Sequence, residues 1–346
     1  MINSIDKENG WTGGQYSLFR FIFGIYLYLT FTRFILTENY QVIFLCLCAL
    51  LSLLIAFGKH EKLVTPVLLA AYVYISNFNE VITTADIDAV AIIFIISLFL
   101  EPNAIGSWNV KSDSINYSWR IENKYFKYLL LGLKLIFIQD LFYQFSNKSF
   151  TEYSEFELVI IAAELAFIFC TRISKITKLS WTLCFLTCLA NFNLPVVLLA
   201  IFIFNPHWIP AIRVIKAEII FYDGPCGLCH RLINFVLSED RESPKFKFSP
   251  IQSSYFEFIT GLTSDNLSTV YLLNNDDKLL TKGTAIIYIM ERLGGFWRIL
   301  GILLKISPRI IIDMGYTIIS KARYSLFERT QKSCPNLPHY LHDRFN

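Results

Sequence analysis

The stretch Phe221–His230, FYDGPCGLCH, closes a short apolar run, turns on Asp223-Gly224, and sets two cysteines three residues apart with Pro225 before the first. The five residues before the turn, Glu218–Tyr222 (EIIFY), read as a buried strand, and Cys226–Leu237 reads as a helix. A helix start offers unsatisfied backbone N–H groups and the positive end of a dipole, both of which stabilise a thiolate. In a Cys-x-x-Cys motif at such a place the thiol pKa falls from about 8.5 toward roughly 3.5 to 7.5. That makes Cys226 the better nucleophile, and Cys229, one turn further on the same face, the thiol that resolves a mixed disulfide. Two other readings of the pair stand beside this one: buried thiols without redox work, and zinc. For zinc, Cys334, His339 and His342 would have to join the pair, in a spacing that matches no common finger; no metal is expected. Tyr222, Gly224 and Pro225 support the turn. Asp223 either relays a cysteine proton or holds the turn, and Asp-Gly favours the turn. His230 is expected on the solvent side.

Downstream, Lys245–Ser249 (KFKFS) alternates as a strand and Ser254–Leu262 reads as a short helix. Thr269–Leu273 and Lys278–Lys282 flank the turn NNDD as a hairpin, and Thr284–Leu293 forms a helix stopped at Gly294-Gly295. Strand, helix, strand, helix, strand, strand, helix is the order of a small thioredoxin-like layer. The 296–346 tail carries Arg298, Lys305, Pro308-Arg309, Asp313 and Lys321 in apolar sequence, which fits amphipathic helices docked on the domain or lying at a membrane interface.

Upstream the texture is different. The chain of 346 residues is 54% hydrophobic and 17% charged, against about 25% charged in ordinary soluble proteins, and its mean hydropathy is +0.46. Eight apolar runs follow one another: Tyr16–Ile35, Gln41–Gly58, Leu63–Phe78, Ile87–Leu100, Phe126–Phe145, Leu158–Thr171, Leu179–Phe192 and Leu194–Ile209, the last two divided only by Asn191–Pro195. Each approaches the length that crosses about 30 Å of hydrocarbon. Lys59 and Lys62, then Lys111, Arg120 and Lys124, then Arg172, Lys175 and Lys178, then Arg213 and Lys216 follow the even-numbered runs. Glu38, Glu80, Asp86, Glu152, Glu155 and Glu157, with a lone Lys148, fill the loops between. Basic loops stay in the cytoplasm. The expected architecture is therefore a polytopic α-helical membrane domain of about eight spans over 1–215, an α/β thioredoxin-like domain over 216–295, and an amphipathic helical tail over 296–346, with both termini cytoplasmic. The expected setting is an integral membrane, with lipid around the spans. Inside the spans Arg20, Lys134, Asp140 and Glu164 are ionisable and are candidates for a polar membrane site or for pairing within the bundle.

A net charge of +3 and the lack of a basic cluster interleaved with aromatics exclude nucleic acid as a partner. The eight cysteines, five of them in apolar runs, do not form the framework of a secreted disulfide protein.

The Tyr-Asp-Gly lead into Cys-x-x-Cys, the stretch Lys282–Gly295 (KGTAIIYIMERLGG) and the segment Asp313–Phe327 (DMGYTIISKARYSLF) together resemble the DCC family of thiol-disulfide oxidoreductase-like domains. The resemblance runs over roughly 218–334 and implies a thioredoxin-like fold with thiol-disulfide exchange, an unidentified thiol or disulfide protein as partner, and no cofactor. One departure from thioredoxin chemistry is that no proline precedes Thr269–Leu273. Gln15–Leu29 and Ile87–Trp108 resemble segments of the HTTM domain, a membrane module akin to vitamin K-dependent gamma-carboxylase, and Lys134 falls where that family places a Gly-x-Lys helix. The reading that follows is a membrane-anchored thiol-disulfide oxidoreductase. Its competitor is a transporter, lipid-binding or carboxylase-like membrane protein with a regulatory C-terminal domain.

Overall fold

A computed structural model describes residues 8–37, 41–77, 83–108, 110, 114–147, 154–169, 175–190, 193–209, 211–212, 214, 216–240, 245–263, 269–326, 334–335 and 337–345. Glu38, Glu80, Lys111, Lys148, Glu152, Arg172, Asn191 and Arg213, named above, lie outside the described residues. The contacts of the chain divide it into two units.

The first unit comprises Phe19–Pro102 and Ile121–Phe204. Each apolar run of the sequence is a helix: α1 (Gly13–Thr37), α2 (Val42–Phe57), α3 (Glu61–Ser76), α4 (Thr84–Phe99), α5 (Asn123–Asn147), α6 (Glu155–Phe169), α7 (Lys175–Ala190) and α8 (Leu194–Ile203). Two of them are long and apolar enough to cross a membrane, α1 over Gly13–Leu36 and α5 over Asn123–Asn147. The 16-residue helices α2 to α4 extend only about 24 Å at 1.5 Å per residue. The last run, expected to reach Ile209, ends as a helix at Ile203; Pro206 follows and opens a single 3₁₀ turn, Pro206–Trp208. Packing inside the unit is close. A Cβ on Gly24 of α1 would lie 2.5 Å from the Ala56 nitrogen of α2, so a larger residue there would force the helices apart. Lys62, counted above among the loop cations, turns its ammonium onto the carbonyls of Ser97, Leu98 and Leu100 and so satisfies the carboxyl end of α4.

The second unit comprises Gly10–Leu18, Asn103–Arg120 and Asn205–Asn346. Strands β1 (Glu8–Thr12) and β2 (Arg120–Glu122), each divided between the two units, form a two-stranded sheet. The main elements are β3 (Glu218–Tyr222), α9 (Gly227–Glu239), β4 (Phe246–Pro250), α10 (Ser254–Thr260), β5 (Tyr271–Leu273), β6 (Leu279–Thr281), α11 (Lys282–Leu293), α12 (Gly295–Ile306) and α13 (Arg309–Leu326). This is the element order read from the sequence. The sheet order is β4-β3-β5-β6. β3 runs parallel to β4, with Tyr222 opposite Pro250, and antiparallel to β5, which is antiparallel to β6.

All five residues of β3 are buried, because the sheet is covered on both faces. Ile220 and Tyr222 face a core with Ile233, Val236, Phe248 and Ile289, while Ile219 and Phe221 pack with Ile251, Phe256 and Tyr271 on the other side. That is the period of two that a strand imposes on its side chains. Segments far upstream complete the unit: Tyr117 belongs to the first of these cores and donates its hydroxyl to Asn234 Oδ1 at 2.9 Å, and Trp11 packs on Phe296 with ring centroids 4.9 Å apart. Glu239, at the end of α9, accepts from the Gly14 amide at 3.0 Å, from Trp297 Nε1 at 2.6 Å and from Thr12 Oγ1. The C-terminal tail covers the outer edge of β4, where Phe345 bridges Phe248 and Arg344 donates to the Phe246 carbonyl at 2.7 Å.

Candidate functional site

Because β3 is the central strand and is followed at once by a helix, its carboxyl end becomes the floor of a sharp turn. The Cys226 amide donates to the Asp223 carbonyl at 3.2 Å, closing that turn. Cys226 then occupies the N-cap of α9 in an extended conformation, φ −95° and ψ 111°, and its sulfur accepts from the Cys229 amide at 3.3 Å. The thiol thus takes the place that Ser or Asp oxygens usually hold, satisfying one orphan N–H of the first turn. Asp223 is buried and held from the side: Gln252 Nε2 donates to Asp223 Oδ1 at 3.0 Å, and Gln252 Oε1 accepts from the Gly224 amide at 3.1 Å. Gln252 stands here because the parallel register of β3 and β4 brings together the residues that follow each strand. Of the turn residues, Gly224 is buried and Pro225 is exposed.

Cys226 has no exposed surface and Cys229 has 6%; neither is joined in a disulfide. The Cys229 thiol is pushed far above its ordinary range. Its hydrogen bond to Cys226 is the largest cause, followed by burial and by electrostatic repulsion from Cys226, with a smaller repulsion from Asp223; a backbone hydrogen bond at Asp223 pulls the other way. The two thiols therefore stand differently: the Cys226 sulfur accepts the Cys229 amide at the N-cap, while the Cys229 thiol is held protonated.

His230 corrects the expectation of a solvent-side residue. It is buried, its amide donates to the Cys226 carbonyl at 3.1 Å, and burial lowers its pKa, so the imidazole is neutral at pH 7. A hydrogen bond to the Gly224 backbone offsets part of that shift, and Nε2 has no hydrogen-bond partner. Tyr222 is fully buried, and its hydroxyl bonds to the Cys334 thiol. Burial raises the pKa of both groups. Cys334 thus meets Tyr222, while His339 and His342 stack on each other 5.6 Å apart. Among the described residues no three His, Cys, Asp or Glu side chains are grouped as a metal site requires.

The four polar residues of the helical unit are placed as follows. Arg20 is buried in an ion pair with Glu61, 2.6 Å apart. Lys134 donates to the Ile168 carbonyl at 2.9 Å and lies over the Phe167 ring. Asp140 accepts from Gln144 at 2.8 Å, and Glu164 is buried with Oε2 lacking a hydrogen-bond partner. Each of the first three is engaged locally in its own part of the bundle.

Two cysteines at the head of a helix, set after an inner strand of a mixed sheet, are the arrangement in which thiol-disulfide exchange is expected. The comparisons with known proteins agree on the class. Residues 220–329 match the family described as DCC1-like thiol-disulfide oxidoreductase. The uncharacterized protein YuxK of Bacillus subtilis (strain 168) is 29% identical over 116 residues, 33% of this chain and 82% of that protein. The DCC family protein At1g52590, chloroplastic, of Arabidopsis thaliana is 30% identical over 122 residues, 34% of this chain and 69% of that protein. Through this C-terminal region the chain belongs to the DCC family. No solved structure matches it.

Proposed function

We propose that the protein is a membrane-anchored thiol-disulfide oxidoreductase with a thioredoxin-like domain, in which Cys226 is the nucleophile and Cys229 the resolving thiol. The observation that carries this reading is the place of Cys226 at the N-cap of α9, where its sulfur accepts from the Cys229 amide at 3.3 Å. The Cys226 thiolate attacks a target disulfide; one target sulfur leaves as a thiolate and takes up a proton, and a Cys226–target mixed disulfide remains. Cys226 now carries no charge. The hydrogen bond to it and its negative charge, two of the four effects that held the proton on Cys229, disappear together. Cys229 then loses its proton and attacks the Cys226 sulfur, releasing the second target thiol and leaving a Cys226–Cys229 disulfide. Two electrons pass to the target, and a thiol reductant restores the pair. Asp223, tied down by Gln252, keeps the turn in place.

Membrane anchoring is supported by what the helical unit exposes. Leu36, Ile43, Leu63, Phe99, Phe142 and Phe169 are between 65% and 88% exposed, far more large apolar surface than a soluble monomer leaves in water. The resemblance of roughly residues 11–210 to the HTTM module is in keeping with a bundle facing lipid. The alternation of basic loops favours several spans and a cytoplasmic redox domain, where thiol pools keep such pairs reduced.

The test is a redox titration of the full chain from roughly −300 to −120 mV, where such pairs are poised, followed by thiol alkylation and mass spectrometry. A Cys226–Cys229 disulfide forming in that window is expected, and its absence throughout would end the proposal. Cys229→Ser is expected to accumulate a mixed disulfide at Cys226. A membrane-impermeant maleimide is expected to leave both cysteines unlabelled in intact cells and to label them after permeabilisation.

A further inference from the structure

A cavity of about 290 Å³ opens beside Cys229. Its wall is almost wholly apolar: Leu228 and Leu232 come from α9, Ile286 and Ile287 from α11, and Ile312 and Ile319 from α13. The Tyr316 hydroxyl on the same wall is already committed to Thr269 Oγ1 at 2.8 Å and to the Val270 amide at 3.0 Å. A polar ligand would therefore find few partners. The volume lies at the lower edge of the roughly 300 to 1,000 Å³ of small-molecule sites. With roughly 30 Å³ for each water-sized group, it takes a chain of about ten carbons.

The helices that build the outer wall also show what can reach it. α12 and α13 turn Leu304 and Ile312 inward to the cavity, while on their outer faces Leu303, Ile306, Ile310, Ile311, Met314 and Ile318 are between 57% and 81% exposed. Beside this apolar surface stand Lys305 and Arg309, 66% and 78% exposed and ion-paired with Glu291 at 3.0 Å and Asp313 at 3.9 Å, followed by the exposed Lys321. An apolar face edged by charged side chains suits the boundary of a bilayer, and the same chain carries two helices long and apolar enough to cross one.

We propose that this cavity is a binding site for the hydrocarbon chain of a membrane amphiphile, entering across the outer faces of α12 and α13 and lying against Cys229. The site deepens the redox reading by confining the protein's small-molecule substrates or effectors to lipid-like compounds. It fills or stays empty whether or not the thiols cycle, so a failed redox titration leaves it untouched.

The probe is decanoate, added to the reduced full chain in phosphatidylcholine nanodiscs, and the readout is the rate of N-ethylmaleimide labelling at Cys229, with glutathione in the same solution as reference. Decanoate is expected to slow Cys229 saturably, by about tenfold when nine-tenths of the sites are filled, and to leave glutathione unchanged; butanoate, too short to fill the space, leaves both unchanged. Ile286→Trp, which fills the cavity from α11, is expected to abolish the protection, and Ile319→Trp does the same from α13 should the first variant fail to fold. Equal slowing of glutathione, protection that persists in a folded variant, or no protection at any concentration overturns the assignment. Protection by an apolar peptide but not by decanoate overturns it as well, and identifies the cavity as a receptor for protein side chains.

Discussion

Replacing Cys229 by alanine and by serine separates the two hydrogen bonds on the Cys226 sulfur. The backbone amide of residue 229, 3.3 Å from Cys226 Sγ, survives both substitutions. The side-chain donation from Cys229 is lost in Cys229→Ala and retained, from an oxygen, in Cys229→Ser. A hydrogen bond to a charged group contributes about 1.5 to 3 kcal/mol, and sulfur is a soft, weak acceptor, so about 1.5 kcal/mol is the appropriate figure. At about 1.36 kcal/mol per pH unit, Cys229→Ala should move the titration of Cys226 up by about one unit, and its alkylation at neutral pH should slow by up to about tenfold. The assay is the pH dependence of iodoacetamide alkylation at Cys226, followed by mass spectrometry so that other thiols do not contribute. Cys229→Ser should lie close to the wild type. An alanine profile that overlays the wild type, or moves to lower pH, would refute the view that Cys229 holds the proton for Cys226.

Three further outcomes follow from the same unit. Asp240 is buried in ion pairs with Lys245 and Arg344, at 3.1 and 2.5 Å, and also accepts from the Lys245 and Phe246 amides. Asp240→Ala strands the buried Lys245 ammonium and should cost about 3 to 5 kcal/mol, read as faster hydrogen exchange at the β4 amides; exchange at the wild-type rate would contradict it. Because the folded state depresses the pKa of His230, the unfolded state binds more protons on the acid side; stability is full above the ordinary value of 6.5 and falls as pH drops below it. His230→Phe should remove that acid-side loss in denaturant titrations at pH 7 and pH 5. Gln252→Ala removes both contacts to the Asp223-Gly224 turn and should cost about 1 to 2 kcal/mol, with faster exchange at the Gly224 amide as the readout.

Local pattern carried far through this chain. The apolar run EIIFY, Asp-Gly and Cys-x-x-Cys sufficed to place β3, the turn and α9, because each is decided by neighbours in sequence. His230 was legible too: it lies three residues before Ile233 and seven before Leu237, on the apolar face of α9, and polarity was allowed to outweigh position. Gln252 was not, since its partners lie 28 and 29 residues away and meet it only through the register of two parallel strands. Nor could the contribution of residues 10–18 and 103–120 to the second unit be read, because Trp11 and Tyr117 look like any aromatic residues near an apolar run. In the helical unit hydropathy located every helix but overstated the length of the last, where Pro206 follows the end of α8.

The complete burial of Cys226 makes its chemistry a matter of frequency as well as affinity. A reagent meets the sulfur only while the turn is open, so the observed rate is the intrinsic rate multiplied by the fraction of time spent open, and every 1.4 kcal/mol of opening energy costs about tenfold. Indiscriminate oxidants in solution must wait for that fluctuation. In the exchange proposed above, a partner that binds the opened turn would hold it open and bypass the wait, and the closed turn would serve as a selective latch on the Cys226 sulfur.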